Sequence, residues 1–160
     1  MHLKKNMFDS TIGLLMDIPR KTKDELKSRR DLVALGIREE LHPIENGNGK
    51  FTLPAASYNL TQEEKREIHQ CIRGLKVPTG FSSNIKRLVP LKDLTISGYN
   101  TYDCHMMLTA FLAMAIRAVK QVYVRMIITR LCYIFNTLSE KVIFREELDK
   151  LQDFVTQTMA

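Results

Sequence analysis

The feature that most constrains the fold is an apolar run from Met106 to Ile116, which Arg117 and Lys120 bring to an end. A membrane-spanning helix needs roughly 20 consecutive apolar residues, and this run is much shorter. It predicts instead a buried core helix, from about Tyr102 to Lys120, against which the rest of the chain packs. We therefore expect no membrane partner.

The other hydrophobic patterns favour a mainly α fold, an irregular helical domain with long loops and at most a short edge hairpin. The chain has 160 residues, 44% of them hydrophobic and 26% charged, which suits one domain with a core. We expect a single domain over 1–160. Its parts are N-terminal helices with an irregular segment at 6–60, a capped helix and long connection at 61–100, and a helical core at 101–158.

Apolar residues at helical spacing and the residues that begin or end helices give approximate bounds. Helices are predicted at about 6–16, 22–35, 61–72, 102–120, 122–138 and 144–158. Thr61 and Glu64 have the spacing of a capping box, and Gly36 and Gly74 are expected to end their helices. Pro54 restricts the preceding apolar residues to an edge strand or a loop.

The charge of the chain permits a polyanionic partner such as DNA. Its net charge is +6, with an isoelectric point near 9.3. A mildly basic surface with no partner explains the same numbers. The densest basic stretch follows the first helix, and the candidate phosphate contacts are Arg20, Lys21, Lys23, Lys27, Arg29 and Arg30. A solvated helix face is the alternative explanation of that stretch.

Three cysteines, an odd number without the spacing of a metal or redox motif, indicate a reducing, intracellular compartment. A zinc site is conceivable, although the ligand spacing is not a standard one. Its candidate ligands are His69, Cys71, Cys104 and His105. A thiolate–imidazole nucleophile formed by Cys104 and His105 is disfavoured, because side chains of adjacent helical residues diverge.

Asp103, Cys104 and His105 stand where an irregular stretch becomes the core helix. Asp103 is a candidate metal ligand, and His105 is a candidate to orient a phosphate or a neighbouring carboxylate. Equally, Asp103 is suited to the first turn of the helix, where its charge complements exposed amides, with Cys104 packed as a small apolar residue. A metal-dependent nuclease needs a further acid beside Asp103, and the candidates are Asp17, Asp31 and Asp93.

The loop from Lys76 to Asn84 lacks the glycine-rich, lysine-bearing pattern of a P-loop. Its amides and the hydroxyls of Ser82 and Ser83 are candidate contacts to a DNA backbone. The alternative is a rigid surface connection held by Pro78.

Several blocks, in their order and spacing over roughly Asn6 to Leu151, resemble the C-terminal region of plant CACTA (En/Spm-type) transposases. That region is often catalogued as a transposase-associated domain of unknown function. The blocks are Asp17-Ile18-Pro19 with Lys21-Thr22-Lys23-Asp24, Arg30-Asp31-Leu32, Gly36 to Pro43, Gly49-Lys50 with Leu53-Pro54, Lys76 to Ile85, Asp103-Cys104-His105, Ala115-Ile116-Arg117, and Leu131-Cys132 with Phe135-Asn136.

The resemblance implies a nuclear protein that acts on transposon ends through Mg²⁺-dependent strand cleavage and transfer. Such chemistry uses carboxylates to hold two Mg²⁺ ions, and Mg²⁺ is the cofactor it implies. The chain lacks an obvious strand-rich catalytic core and departs from the family pattern at two places. Arg20 stands where a glycine is usual, and Ala113-Met114 stands where a Leu-Pro-Val type of sequence is expected. We therefore expect a partial copy that is not catalytic alone and that binds DNA.

A protein-interaction module is the alternative function. Its partner would be a second copy of the chain or a longer transposase homologue. A large exposed apolar patch on the helices after Tyr102 would favour this alternative.

Overall fold

The computed structural model describes residues 2–76, 85–90 and 93–159, and over these residues the fold is mainly α, as predicted. The sheet in this part of the chain is a two-stranded antiparallel hairpin, which pairs Ile44 with Thr52 and Glu45 with Phe51. Both strands are short, in agreement with the expected edge hairpin.

The helices are separated by breaks of very different length, the longest of them between α2 and α3, and three further segments have 3₁₀ or π geometry. The α-helices are α1 His2–Met16, α2 Leu26–Leu35, α3 Gln62–Gly74, α4 Ile85–Leu88, α5 Thr101–Met106, α6 Leu112–Ala115, α7 Val122–Thr137 and α8 Arg145–Met159. Strands β1 and β2 are Ile44–Glu45 and Phe51–Thr52, 3₁₀ turns lie at Glu39–Leu41 and Ile116–Ala118, and a π-helical turn lies at Met107–Phe111.

The predicted helix boundaries hold where a capping residue defines them. The Thr61 hydroxyl accepts the Glu64 amide at 3.2 Å, and the Glu64 carboxylate accepts the Thr61 amide at 2.8 Å, so the capping box is confirmed. Gly36 ends α2 in the left-handed conformation at φ 64°, which glycine adopts without a steric cost. The predicted start of α2, at residue 22, is wrong by four residues. The helix begins at Leu26, after a capping box formed by Glu25 and Ser28.

The apolar run forms the centre of the core, as expected. From Thr101 to Ala118 the backbone passes through α5, the π-helical turn, α6 and a 3₁₀ turn. Leu108, Leu112 and Ile116 are completely buried in one cluster with apolar residues of α1, α3, α4 and α7. The core helix thus packs against α1, α3 and α7, which explains why the longest apolar run lies here.

The stretch from Asp17 to Asn59 contributes no fully buried residue to this cluster. It is held by Arg29, whose side chain is 2% exposed and forms a bidentate ion pair with Asp24. The guanidinium also donates to the carbonyls of Leu41 at 3.0 Å and Pro54 at 3.2 Å. The Tyr58 hydroxyl donates to Asp24 at 3.0 Å. The hydrogen bond from Arg29 lowers the pKa of Asp24 and keeps the carboxylate charged.

We expect Arg29→Ala to lower the free energy of unfolding by about 3–5 kcal/mol, because it leaves the Asp24 carboxylate and two carbonyls without their donor. Urea denaturation followed by circular dichroism measures this loss. Lys27→Ala, at an exposed site on the same helix, is the matched control and should change stability by no more than about 0.5 kcal/mol. An equal effect of both variants would show that Arg29 has no special role.

Glu64 joins α3 to the turn before α7, since its carboxylate also accepts the Lys120 amide at 2.8 Å. Burial raises the pKa of Glu64, but the hydrogen bonds from Lys120 and Thr61 outweigh burial, and the net pKa is lowered from 4.5. A lowered folded-state pKa gives stability that is present above pH 4.5 and lost as the pH falls below it.

We therefore expect the free energy of unfolding to fall as the pH is lowered from about 5 to about 3, and to fall less steeply in Glu64→Gln. Urea titrations at several pH values provide the measurement. Glu67→Gln, an exposed position on α3, serves as the control and should follow the wild-type curve. Identical slopes in Glu64→Gln and wild type would contradict the assignment.

Candidate nucleic-acid interface

A basic loop, defined as residues 17–25, follows α1 and folds back against it. The Ile18 amide donates to the Gly13 carbonyl at 3.0 Å, and the Lys21 and Thr22 amides donate to the Ile18 carbonyl at 3.0 and 2.9 Å. A side-chain carbon at Gly13 would lie 2.5 Å from the carbonyl carbon of Lys21 and 2.6 Å from its oxygen. The absence of a side chain at Gly13 thus permits a direct backbone contact that fixes the loop.

Lys21 is held on one side of this loop by a polar cluster. Its ammonium lies 2.5 Å from the Tyr99 hydroxyl and 3.4 Å from the Asp9 carboxylate, and Tyr99 also donates to Asp9. Burial, together with the hydrogen bond to Asp9, raises the pKa of Tyr99, so the phenol stays protonated. Asp9 compensates the charge of Lys21, so this lysine is less available than an unpaired one to bind a phosphate.

Arg20, Lys23 and Lys27 are exposed, and their side chains form no ion pair or hydrogen bond with the described residues. Arg20 and Lys23 border two adjoining clefts, of about 540 and 230 Å³. The larger cleft also contains Lys21 and Asp9, and the smaller contains Lys27 with two acids. Four of the six predicted basic residues therefore gather around the loop, and three of them form no ion pair with the described residues.

The other two predicted basic residues are placed differently. Arg29 is buried in its ion pair with Asp24, so its guanidinium is not on the exposed basic surface. The guanidinium carbon of Arg30 lies 4.8 Å above the Phe51 ring, and Arg30 lines neither cleft. The regular spacing of charges along α2 could not distinguish an outward-facing arginine from one that turns inward. Ser82 and Ser83 lie outside the described residues.

Asp103 lies in the first turn of α5, which is one of the two alternatives that the sequence left open. It is 2% exposed and accepts the Asn100 amide at 3.0 Å, while the Asn100 side chain accepts the Asp103 amide at 2.9 Å. This reciprocal pair begins α5. Asp17, Asp31 and Asp93 are all exposed, so none of these candidate second acids shares the buried environment of Asp103.

His105 contacts Lys4 of α1, which also binds Ser139, so the lysine connects three parts of the chain. The Lys4 ammonium lies 3.2 Å from Nδ1 of His105 and donates to the Ser139 hydroxyl at 2.7 Å. Burial, with the nearby charge of Lys4, lowers the pKa of His105 below its ordinary value. A neutral imidazole facing a cation is an acceptor within the fold. Among the described residues no carboxylate lies within ion-pair distance of this ring for it to orient.

Within the ranges that the structure describes, no group of three or more His, Cys, Asp or Glu side chains is arranged to hold a metal ion. The four candidate zinc ligands are therefore not assembled into a site. Burial raises the pKa of the Cys104 and Cys132 thiols to about 11. Because the thiolate is the reactive form, both cysteines act as packed apolar groups at neutral pH.

Exposed large apolar side chains are concentrated in the second half of the chain. Those after residue 101 are Tyr102, Met114, Val122, Tyr123, Met126, Tyr133, Leu138, Val142, Phe144 and Leu148. The earlier part of the described chain exposes fewer of them, among which are Val33, Leu35 and Ile37. Whether those after residue 101 form the single large patch that would favour a protein-interaction module stays a prediction.

No protein-family model, curated protein or solved structure matches the chain. In the described part of the chain, the helices are too short or too polar to cross a membrane.

The sequence pattern identified the cations but not the residues that position them. Gly13, Asp9 and Tyr99 were not among the predicted site residues. Gly13 did carry a signal, because an isolated glycine inside a helical pattern often marks the close approach of another backbone. Tyr99 is remote in sequence from the loop, and no local pattern could have connected it with Lys21.

We expect Gly13→Ala to destabilise the fold by about 1–3 kcal/mol, because the new methyl group overlaps the backbone of Lys21. The higher helix propensity of alanine would otherwise stabilise the protein. Gly74→Ala is the matched control, since nothing lies within 4 Å of a side-chain carbon at that helical position. Thermal melts should move in opposite directions for the two variants, and a stabilised Gly13→Ala would show that the loop does not contact α1.

Proposed function

We propose that the chain is a helical accessory domain, derived from a CACTA-type transposase, that contacts the DNA backbone through the basic loop and Lys27. The observation that carries the proposal is the exposure of Arg20, Lys23 and Lys27 around two adjoining clefts, where none of the three forms an ion pair with the described residues. Such cations attract phosphate groups, which supply most of the sequence-independent affinity for DNA.

The anchoring of the loop supports this function. Flexible lysines lose side-chain entropy when they bind, and a fixed backbone reduces the further cost of ordering the loop. The contact between Gly13 and Lys21 fixes the middle of the loop, and the Asp24–Arg29 pair fixes its end. The cations therefore extend from a backbone that is already in place before any phosphate arrives.

The conformation of Arg20 supports the resemblance to the transposase family. Arg20 has φ 67°, in the left-handed region that favours glycine, and glycine is usual at this position in the family. An arginine here is strained, yet it adds a charge at the border of both clefts. This suggests a lineage in which a turn glycine was replaced by a phosphate-binding side chain.

The proposal is limited to binding. Mg²⁺-dependent strand cleavage is the chemistry of the catalytic core in the transposase family that this chain resembles. We assign no catalytic role to Asp103 or His105. A nuclear location and an association with a longer transposase homologue follow from the proposal, since DNA at transposon ends would be the substrate of that homologue.

Fluorescence anisotropy with a labelled duplex of about 20 base pairs, titrated at several salt concentrations, tests the proposal. Each phosphate contact should contribute about −0.9 to the slope of log K against log salt. We expect Lys23→Ala to weaken binding and to reduce the slope by about one contact. Arg66→Ala, an exposed position on α3, is the control and should leave both quantities unchanged. No binding at low salt, or equal effects of the two variants, would refute the proposal.

Arg20→Gly separates stability from binding. We expect it to raise the free energy of unfolding by up to about 1 kcal/mol, because glycine relieves the left-handed strain, and to weaken DNA binding. Thermal melts and the same anisotropy titration measure the two effects. A variant that loses stability would show that the Arg20 side chain holds the fold together.

A further inference from the structure

A second surface, separate from the basic loop, is an apolar groove between α1 and α7. This α1–α7 groove has a volume of about 330 Å³, and its walls include Leu14 and Leu15 of α1 and Ile127 and Leu131 of α7. Tyr123, 64% exposed, borders it at the beginning of α7. Apolar walls of this extent favour the binding of another apolar surface, because removing both surfaces from water lowers the free energy.

Arg38 places a positive charge at the edge of this groove. It is exposed, and its side chain forms no ion pair or hydrogen bond with the described residues. Glu39 and Glu40 follow it in the chain but line neither this groove nor the neighbouring cleft of about 310 Å³ that Arg38 also borders. In that cleft Asp24 is neutralised by Arg29, so Lys23 and Arg38 remain as net charges.

The chain itself carries a segment with the complementary chemistry, at 142–149, where α8 begins. Its apolar side chains are exposed, Val142 by 66%, Phe144 by 69% and Leu148 by 48%. Glu146, Glu147 and Asp149 outnumber its single cation, and the three acids form no ion pair with the described residues.

The packing of α8 leaves this segment uncovered. The helix rests on α7 farther along, where Phe154 contacts the Tyr133 ring with centroids 5.1 Å apart and Leu151 is 5% exposed. The Glu147 carboxylate accepts the Phe144 amide at 3.1 Å, which fixes the start of the helix. The beginning of α8 is thus a preformed amphipathic surface, and it lies before the part of the helix that packs on α7.

We propose that the α1–α7 groove binds the 142–149 segment of a second copy of this chain. The exposed apolar side chains of the segment enter the groove, and its carboxylates face Arg38. In a two-fold pair each copy provides one groove and one segment, so the contact forms twice and the assembly closes as a dimer. The proposal is independent of the phosphate contacts of the basic loop.

Sedimentation equilibrium of the full chain without DNA tests the dimer, and paired charge reversals test its contact. We expect Arg38→Glu to weaken dimerisation by at least about tenfold, because it sets like charges against each other at both contacts. The double variant Glu146→Lys/Asp149→Lys should weaken it equally. An equimolar mixture of the two variants should restore a dimer, since each groove then faces a segment of opposite charge.

The rescue by mixing distinguishes a direct contact from a folding defect, because a misfolded variant cannot regain a partner. Arg66→Glu, which reverses an exposed charge on α3, should dimerise as wild type does. The proposal would be overturned by a wild-type chain that stays monomeric up to about 100 µM, because its affinity for itself would then be far weaker than that of a specific interface. So would a mixture that remains monomeric, or a dimer that is indifferent to Arg38→Glu. DNA affinity is measured separately, so a failure of either proposal leaves the other intact.

Discussion

The ion pair between Arg29 and Asp24 holds the stretch from Asp17 to Asn59 as apolar packing holds the rest of the described chain. Without fully buried apolar residues in the main cluster, α2 and the hairpin are joined by one guanidinium that reaches two carbonyls and a carboxylate. Breaking such a pair costs more than making it contributes, because an unpaired buried charge has no solvent. Asp24 directly follows Lys23, so the Arg29–Asp24 ion pair also fixes the end of the basic loop and the position of its cations.

The rest of the described chain is organised around hydrophobic burial, and buried or half-buried polar groups connect its elements. Glu64 illustrates this use, because one carboxylate begins α3 and also accepts the Lys120 amide ahead of α7. Lys4 acts similarly between α1, His105 and Ser139. These joints are made of charged groups with more than one partner, which ties their geometry closely to the packing beneath them.

Local patterns predicted what local physics determines. The Thr61–Glu64 capping box, the left-handed Gly36 and the apolar run from Met106 are short-range features, and each appears where the sequence placed it. The inward turn of Arg29 depends on carbonyls 12 and 25 residues away, and the contact of Lys21 with Tyr99 spans 78 residues. For the candidate site, the sequence supplied the cations, while their division into structural and exposed groups required the tertiary fold.

The π-helical turn at Met107–Phe111 affects how this chain should be compared with others. Such a turn accommodates one more residue than an α-helical turn does, so the faces that follow it are shifted by about 100° from those of an uninterrupted α-helix. A homologue with one residue fewer between His105 and Leu112 would present the same buried face after the turn. Alignments of this core helix should therefore accept a single-residue gap there, where a gap within a helix would ordinarily be penalised.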